Sequence, residues 1–72
     1  MSNNTATLVR MANQIGDFFN AYPAEEAVPQ IATHIRKFWD PRMRKAIFAH
    51  IAEHEGEGLK PQVLEALKTL PH

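Results

Sequence analysis

The chain has 72 residues and a mass of 8.2 kDa, enough for a single domain, residues 1–72, that buries roughly 60% of the surface its unfolded form exposes. It contains no cysteine, which excludes disulfides, iron–sulfur ligation and cysteine-rich zinc sites and makes a cytoplasmic location the default. Eight Lys and Arg against eight Asp and Glu give zero formal net charge, which is not the footprint of a general nucleic-acid or acidic-membrane binder.

Met1-Ser2-Asn3-Asn4-Thr5 has neither the basic start nor the apolar run of a secretory signal. No apolar stretch reaches the roughly 18 to 20 residues needed to span a bilayer, so the expectation is a soluble, unexported chain. From there Leu8, Met11, Ala12, Ile15, Phe18 and Phe19 recur at three- and four-residue spacing, which predicts a helix over about residues 6–20 with either Thr5 or Thr7 as N-cap. Gly16 inside that helix is unfavourable by about 1 kcal/mol relative to Ala, and its missing side chain permits close approach of another helix.

Tyr22-Pro23 breaks the pattern, and Ala27, Val28, Ile31, Ile35 and Phe38 resume it with Trp39 at the edge of the face, predicting a second helix over about 25–39. Pro29 lacks an amide hydrogen and its ring opposes the carbonyl four residues back. The helix therefore either begins near Val28 after a loose turn or is kinked, and a start between Ala24 and Val28 is favoured. Asp40-Pro41 reads as a capping carboxylate followed by a proline at the first helical position, opening a third helix over about 41–54 with Met43, Ala46, Ile47, His50 and Ile51 on one stripe and Phe48 off it. Gly56-Glu57-Gly58 ends it. Lys60-Pro61 opens a short last helix over about 61–70 carrying Val63, Leu64, Leu67 and Leu70, and Pro71 stops it. The expected fold class is all-α, a small bundle of three main helices plus a short C-terminal helix.

Few motifs carry chemistry. His50-Ile51-Ala52-Glu53-His54 spells H-x-x-E-H, the order in which inverted zinc peptidases place two metal-binding histidines one helical turn apart beside a glutamate. A zinc hydrolase also needs a third ligand and a cleft, so the favoured reading makes His50 a boundary histidine bonded to a backbone carbonyl, with Glu53 and His54 on the solvated helix end. His34 joins these histidines only if the second and third helices pack with those faces together; otherwise it is structural. There is no Ser-His-Asp order, phosphate-binding glycine loop or paired-carboxylate spacing, and the residues specify no bound cofactor.

Residues 36–45 hold Arg36, Lys37, Arg42, Arg44 and Lys45 against Asp40 alone, a net +4 offset by the rest of the chain. Arginine and tryptophan are over-represented where interface binding energy concentrates, so Arg36, Lys37, Trp39, Arg42 and Arg44 are candidate partner-binding residues. Their plain alternative is a solvated helix face with Trp39 in the core. Phe18 and Phe48 join the set, because each lies off its helix's stripe and a domain this small struggles to bury both. A second function class is a small helical nucleic-acid binder using residues 36–45.

Met11-Ala12-Asn13-Gln14-Ile15-Gly16-x-Phe18-Phe19, Ile31-Ala32-x-His34-Ile35-x-Lys37-Phe38-Trp39-Asp40-Pro41-Arg42-Met43-Arg44 and Gly58-Leu59-x-Pro61 together resemble the delta subunit of the NAD-dependent, molybdenum-containing formate dehydrogenases, over residues 8 to about 63. The resemblance implies a soluble bacterial complex that oxidises formate to carbon dioxide and passes electrons to NAD. Its larger subunits carry the molybdenum bis-pterin cofactor, iron–sulfur clusters and flavin. It further implies that the small chain is a non-catalytic, cofactor-free accessory subunit. Its partners would be those larger subunits, chiefly the molybdenum-bearing alpha subunit, whose assembly, stability or cofactor maturation it supports, with no nucleic acid or membrane among them. Pro29 and the histidine-bearing stretch from His50 to Glu57 stand outside the family pattern.

Overall fold

A computed structural model describes residues 5–71; the opening residues read for a targeting signal lie outside them, apart from Thr5. The described residues form α1 (Thr5–Phe19), α2 (Ala24–Phe38), α3 (Pro41–His54) and α4 (Pro61–Lys68), with no strand among them. The Cα radius of gyration is 11.1 Å, close to the ~11 Å of a compact chain of this length.

In α1, Leu8, Ala12 and Gly16 are buried, one residue per turn along a line narrow enough for a neighbouring helix to approach closely. That neighbour is α4. A Cβ added at Gly16 would stand 2.5 Å from Cγ2 of Val63, inside van der Waals contact, so the glycine is required by the packing, as the sequence suggests. Thr5 and Thr7 both lie within α1, so neither serves as the N-cap expected from the sequence.

Helix α2 starts at Ala24, the early end of the expected interval, because Pro23 supplies the first carbonyl: the amides of Glu26 and Ala27 each donate to it at 2.8 Å. Pro29 is therefore inside the helix, where it removes one i→i−4 bond without ending the run; the loose turn leading to Val28 does not occur. Glu25 and Glu26 in the first turn and Arg36 and Lys37 in the last complement the helix dipole. Ala27, Val28, Ile31, Ala32 and Ile35 are buried, and Ile31 and Ile35 are among the largest fully buried side chains.

Asp40 caps α3 as its sequence position indicates, its carboxylate accepting from the amide of Met43 at 3.0 Å, with Pro41 at the helix start. Only Ile47 of α3 is fully buried; Met43, Ala46, Phe48 and Ile51 pack against the core from its margin. At the other end the left-handed backbone begins one residue before the glycines, at Glu55 (φ 59°), and continues through Gly56 (φ 72°).

The short α4 is central. Val63, Ala66 and Leu67 are wholly buried and Leu70 nearly so, and α2 packs more extensively on α4 than on α1. The last helix is thus a full member of the bundle formed with α1 to α3. Asn13 of α1 secures the connection to it: its Nδ2 donates to the carbonyl of Gly58 at 2.9 Å and its Oδ1 accepts from the amide of Lys60 at 3.0 Å. Asp17, one turn on, pairs with the Lys60 ammonium.

Candidate functional site

The end of α2 decides which aromatic faces inward. Phe38 falls on the periodic apolar stripe of α2 and the sequence assigns it to the core, with Trp39 at the edge. The structure reverses that order. The helix stops at Phe38; Trp39 is extended (φ −87°, ψ 135°) while its amide still donates to the carbonyl of Ile35. Leaving the helical path turns the indole into the core, 5% exposed, and leaves Phe38 71% exposed. In the isolated chain Trp39 is therefore a core residue.

Phe38 faces a groove of about 510 Å³ between α1, the end of α2 and the first turn of α3, walled by Met11, Ile15, Phe18, Phe19 and Met43 and floored in part by Trp39. Phe18 is 75% exposed at its rim. The rings form a series across it: Phe18 meets Phe19 edge-on at 4.9 Å between centroids, Phe19 lies 6.2 Å from the His34 ring, and His34 lies 4.8 Å from Phe38. Offset and edge-on contacts of this kind are favourable, so the rings hold each other in place without being covered. Tyr22, 45% exposed, extends the patch from Phe19. Together these side chains form a contiguous exposed aromatic surface.

The basic segment divides. Arg36, Arg44 and Lys45 converge with Phe48, Leu70 and Pro71 on a second pocket of about 580 Å³ on another part of the surface. Arg44 also has a structural use: its Nη1 donates to the carbonyl of Arg36 at 2.9 Å, satisfying a helix-end acceptor and tying α3 to α2. Lys37 lines a shallow depression beside His34 and Phe38. Arg42 is exposed and lines neither pocket. Phe48 is half-buried against the core while Phe18 is not, so only one of the two off-stripe phenylalanines is tucked in. The sequence-derived set is therefore not one surface: Phe18 lies at the groove with Trp39 beneath it, Arg36, Arg44 and Phe48 line the second pocket, and Lys37 and Arg42 lie outside both.

Sequence reasoning missed the groove residues Met11, Ile15, Phe38 and Met43 because each sits at core spacing on its own helix. The available signal was excess: α1 and α2 carry more large apolar side chains than a chain of this size has interior to receive.

His50 behaves as a boundary histidine. Its Nε2 lies 2.7 Å from the carbonyl oxygen of Glu57, which ties α3 to the turn that follows. Glu53 and His54 are exposed at the helix end. His34 stands in the aromatic groove, away from His50 and His54, and among the described residues no three His, Cys, Asp or Glu side chains group as metal ligands. No helix is long and apolar enough to cross a membrane among the described residues.

Residues 7–67 match the model of the FdsD family, described as the NADH-dependent formate dehydrogenase delta subunit. No curated protein and no solved structure matches the chain.

Proposed function

The chain belongs to the FdsD family of NADH-dependent formate dehydrogenase delta subunits, and from that premise we propose that it is a non-catalytic, cytoplasmic accessory subunit that docks on the molybdenum-bearing alpha subunit and supports its assembly, stability or cofactor maturation. Membership in the family makes other formate dehydrogenase subunits its partners. The observation that carries the docking reading is the uncovered aromatic groove, with Phe18 and Phe38 each more than two-thirds exposed. Burying one such ring contributes about 1.5–3 kcal/mol, and a rigid aromatic loses little conformational freedom in doing so.

In this reading Phe18 and Phe38 are the apolar anchors and Trp39 supports them from below. Arg36, Lys37, Arg42 and Arg44, with Phe48, supply the charged and mixed surface alongside. Nucleic acid has no part in this reading: the chain is neutral overall, which disfavours a general nucleic-acid binder.

Co-purification of the tagged chain with the larger subunits from its native cells tests the reading. Phe18→Ser/Phe38→Ser is expected to reduce recovery of the alpha subunit at least tenfold while far-UV circular dichroism stays that of the unmodified chain. Undiminished recovery would remove the groove as the docking site. Unchanged molybdenum content and thermal inactivation of the enzyme in cells lacking the chain would remove the supporting role.

A further inference from the structure

We propose that the basic pocket formed by the end of α2, the first turns of α3 and the chain after α4 receives an acidic segment of a larger formate dehydrogenase subunit, with one apolar side chain seated between Phe48 and Leu70. The inference rests on the accessory-subunit reading and adds to the aromatic groove a second contact of different chemistry.

Charge is the first ground. Arg36, Arg44 and Lys45 line the pocket, and the only acid within residues 36–45, Asp40, has its carboxylate engaged by the amide of Met43. Among the described residues the one ion pair is Lys60 with Asp17, which belongs to the clasp between α1 and the loop before α4. The pocket cations therefore have no carboxylate of their own chain among those residues. Pro41, Phe48, Leu70 and Pro71 supply apolar walls between them, so a bare anion would leave half the pocket unfilled, whereas an acidic segment bearing an apolar side chain matches both parts.

The second ground is where α3 carries its charges. A helix N-terminus is the positive end of the dipole and favours acids, and its C-terminus favours bases; α2 obeys this at both ends. In α3, Arg42, Arg44 and Lys45 occupy the first turn and a half with no acid in the first turn, and Glu53 and Glu55 lie at the far end. Arg44 serves the isolated chain through its bond to the Arg36 carbonyl, but for Arg42 and Lys45 the position beside the positive end of the helix is locally unfavourable. Residues that break a local rule without a local gain are expected where a partner supplies the compensation.

The test uses the full chain and the larger subunits purified without it. Because the chain has no cysteine, Lys45→Cys gives a single attachment point for a benzophenone maleimide, and the expected photo-crosslink is to an Asp- and Glu-rich segment of a larger subunit. In titrations from about 50 to about 300 mM NaCl, Arg36→Glu/Lys45→Glu is expected to weaken binding at least tenfold at the low end and flatten the salt dependence. The Lys45→Glu single variant is expected to keep or raise the thermal midpoint of the isolated chain, which separates lost docking from lost folding. Phe18→Ser/Phe38→Ser is expected to weaken binding with the salt dependence retained.

A crosslink to a neutral or basic segment or to nucleic acid, or unchanged binding by the charge-reversed variant, would overturn the pocket's assignment while the aromatic groove stood. Failure of the unmodified chain to bind at all would overturn both.

Discussion

Gly16 and Val63 bring α1 and α4 together at a point with no room for a methyl group. Alanine is the better helix former by about 1 kcal/mol, so a helix considered alone would gain from Gly16→Ala. In the folded chain the added Cβ meets Val63, whose β-branched side chain has little rotamer freedom with which to retreat. Overpacking of this kind costs about 1–3 kcal/mol, and we expect Gly16→Ala to lower the urea midpoint, with Val63→Ala in the same chain recovering part of the loss. A raised midpoint for Gly16→Ala would show that the two helices separate freely. Asn13 acts at the same scale by a different route: one amide side chain satisfies a carbonyl and an amide of the loop before α4, holding Gly58 at a φ of 90° that a side chain rarely permits.

Each helix is stabilised differently at its ends. The start of α3 depends on Asp40, whose carboxylate supplies both an acceptor for the Met43 amide and the only acid near a helix N-terminus crowded with cations. Asp40→Ala is expected to cost about 1 kcal/mol, which in a domain of this size lowers the thermal midpoint by about 4–8 °C. Asp40→Asn is expected to keep the cap and lose only the charge, so its midpoint should lie between the two; equal midpoints for all three would mean that the corner is held by Arg44 and the buried Trp39 alone. By contrast α2 has no side-chain cap and an internal proline, and it persists because Ala27, Val28, Ile31, Ala32 and Ile35 bury a continuous stripe against α1 and α4. Tertiary packing supplies most helix stability in proteins, and α2 illustrates it.

For the molecule as a whole, the eight-residue α4 closes the core that the longer helices leave open. Terminating the chain before Pro61 would remove Val63, Ala66, Leu67 and Leu70 and uncover Ile31 and Ile35. A chain of this size has only about 3–5 kcal/mol of stability to lose, so we expect the truncated form to lack a cooperative thermal transition and the Trp39 fluorescence to shift to that of solvent-exposed indole. A cooperative transition with buried-indole emission would show that α1, α2 and α3 suffice.

Helix positions, the cap at Asp40, the close approach at Gly16, the carbonyl bond of His50 and the family itself were legible in the residues, because each depends on spacing or chemistry within a few positions or on a contiguous pattern. The aromatic groove and the division of the basic segment were not. They depend on one extended residue at the end of α2, which exchanges the places of Phe38 and Trp39, and on the crossing of helices that brings Phe18 and Phe38 to one groove and Lys45 and Leu70 to one pocket. Local sequence carries the period of a helix and its stopping point. Which side of that helix finds a neighbour is settled by competition among all four for too small an interior, and there the indole is inside and two phenylalanines remain at the surface.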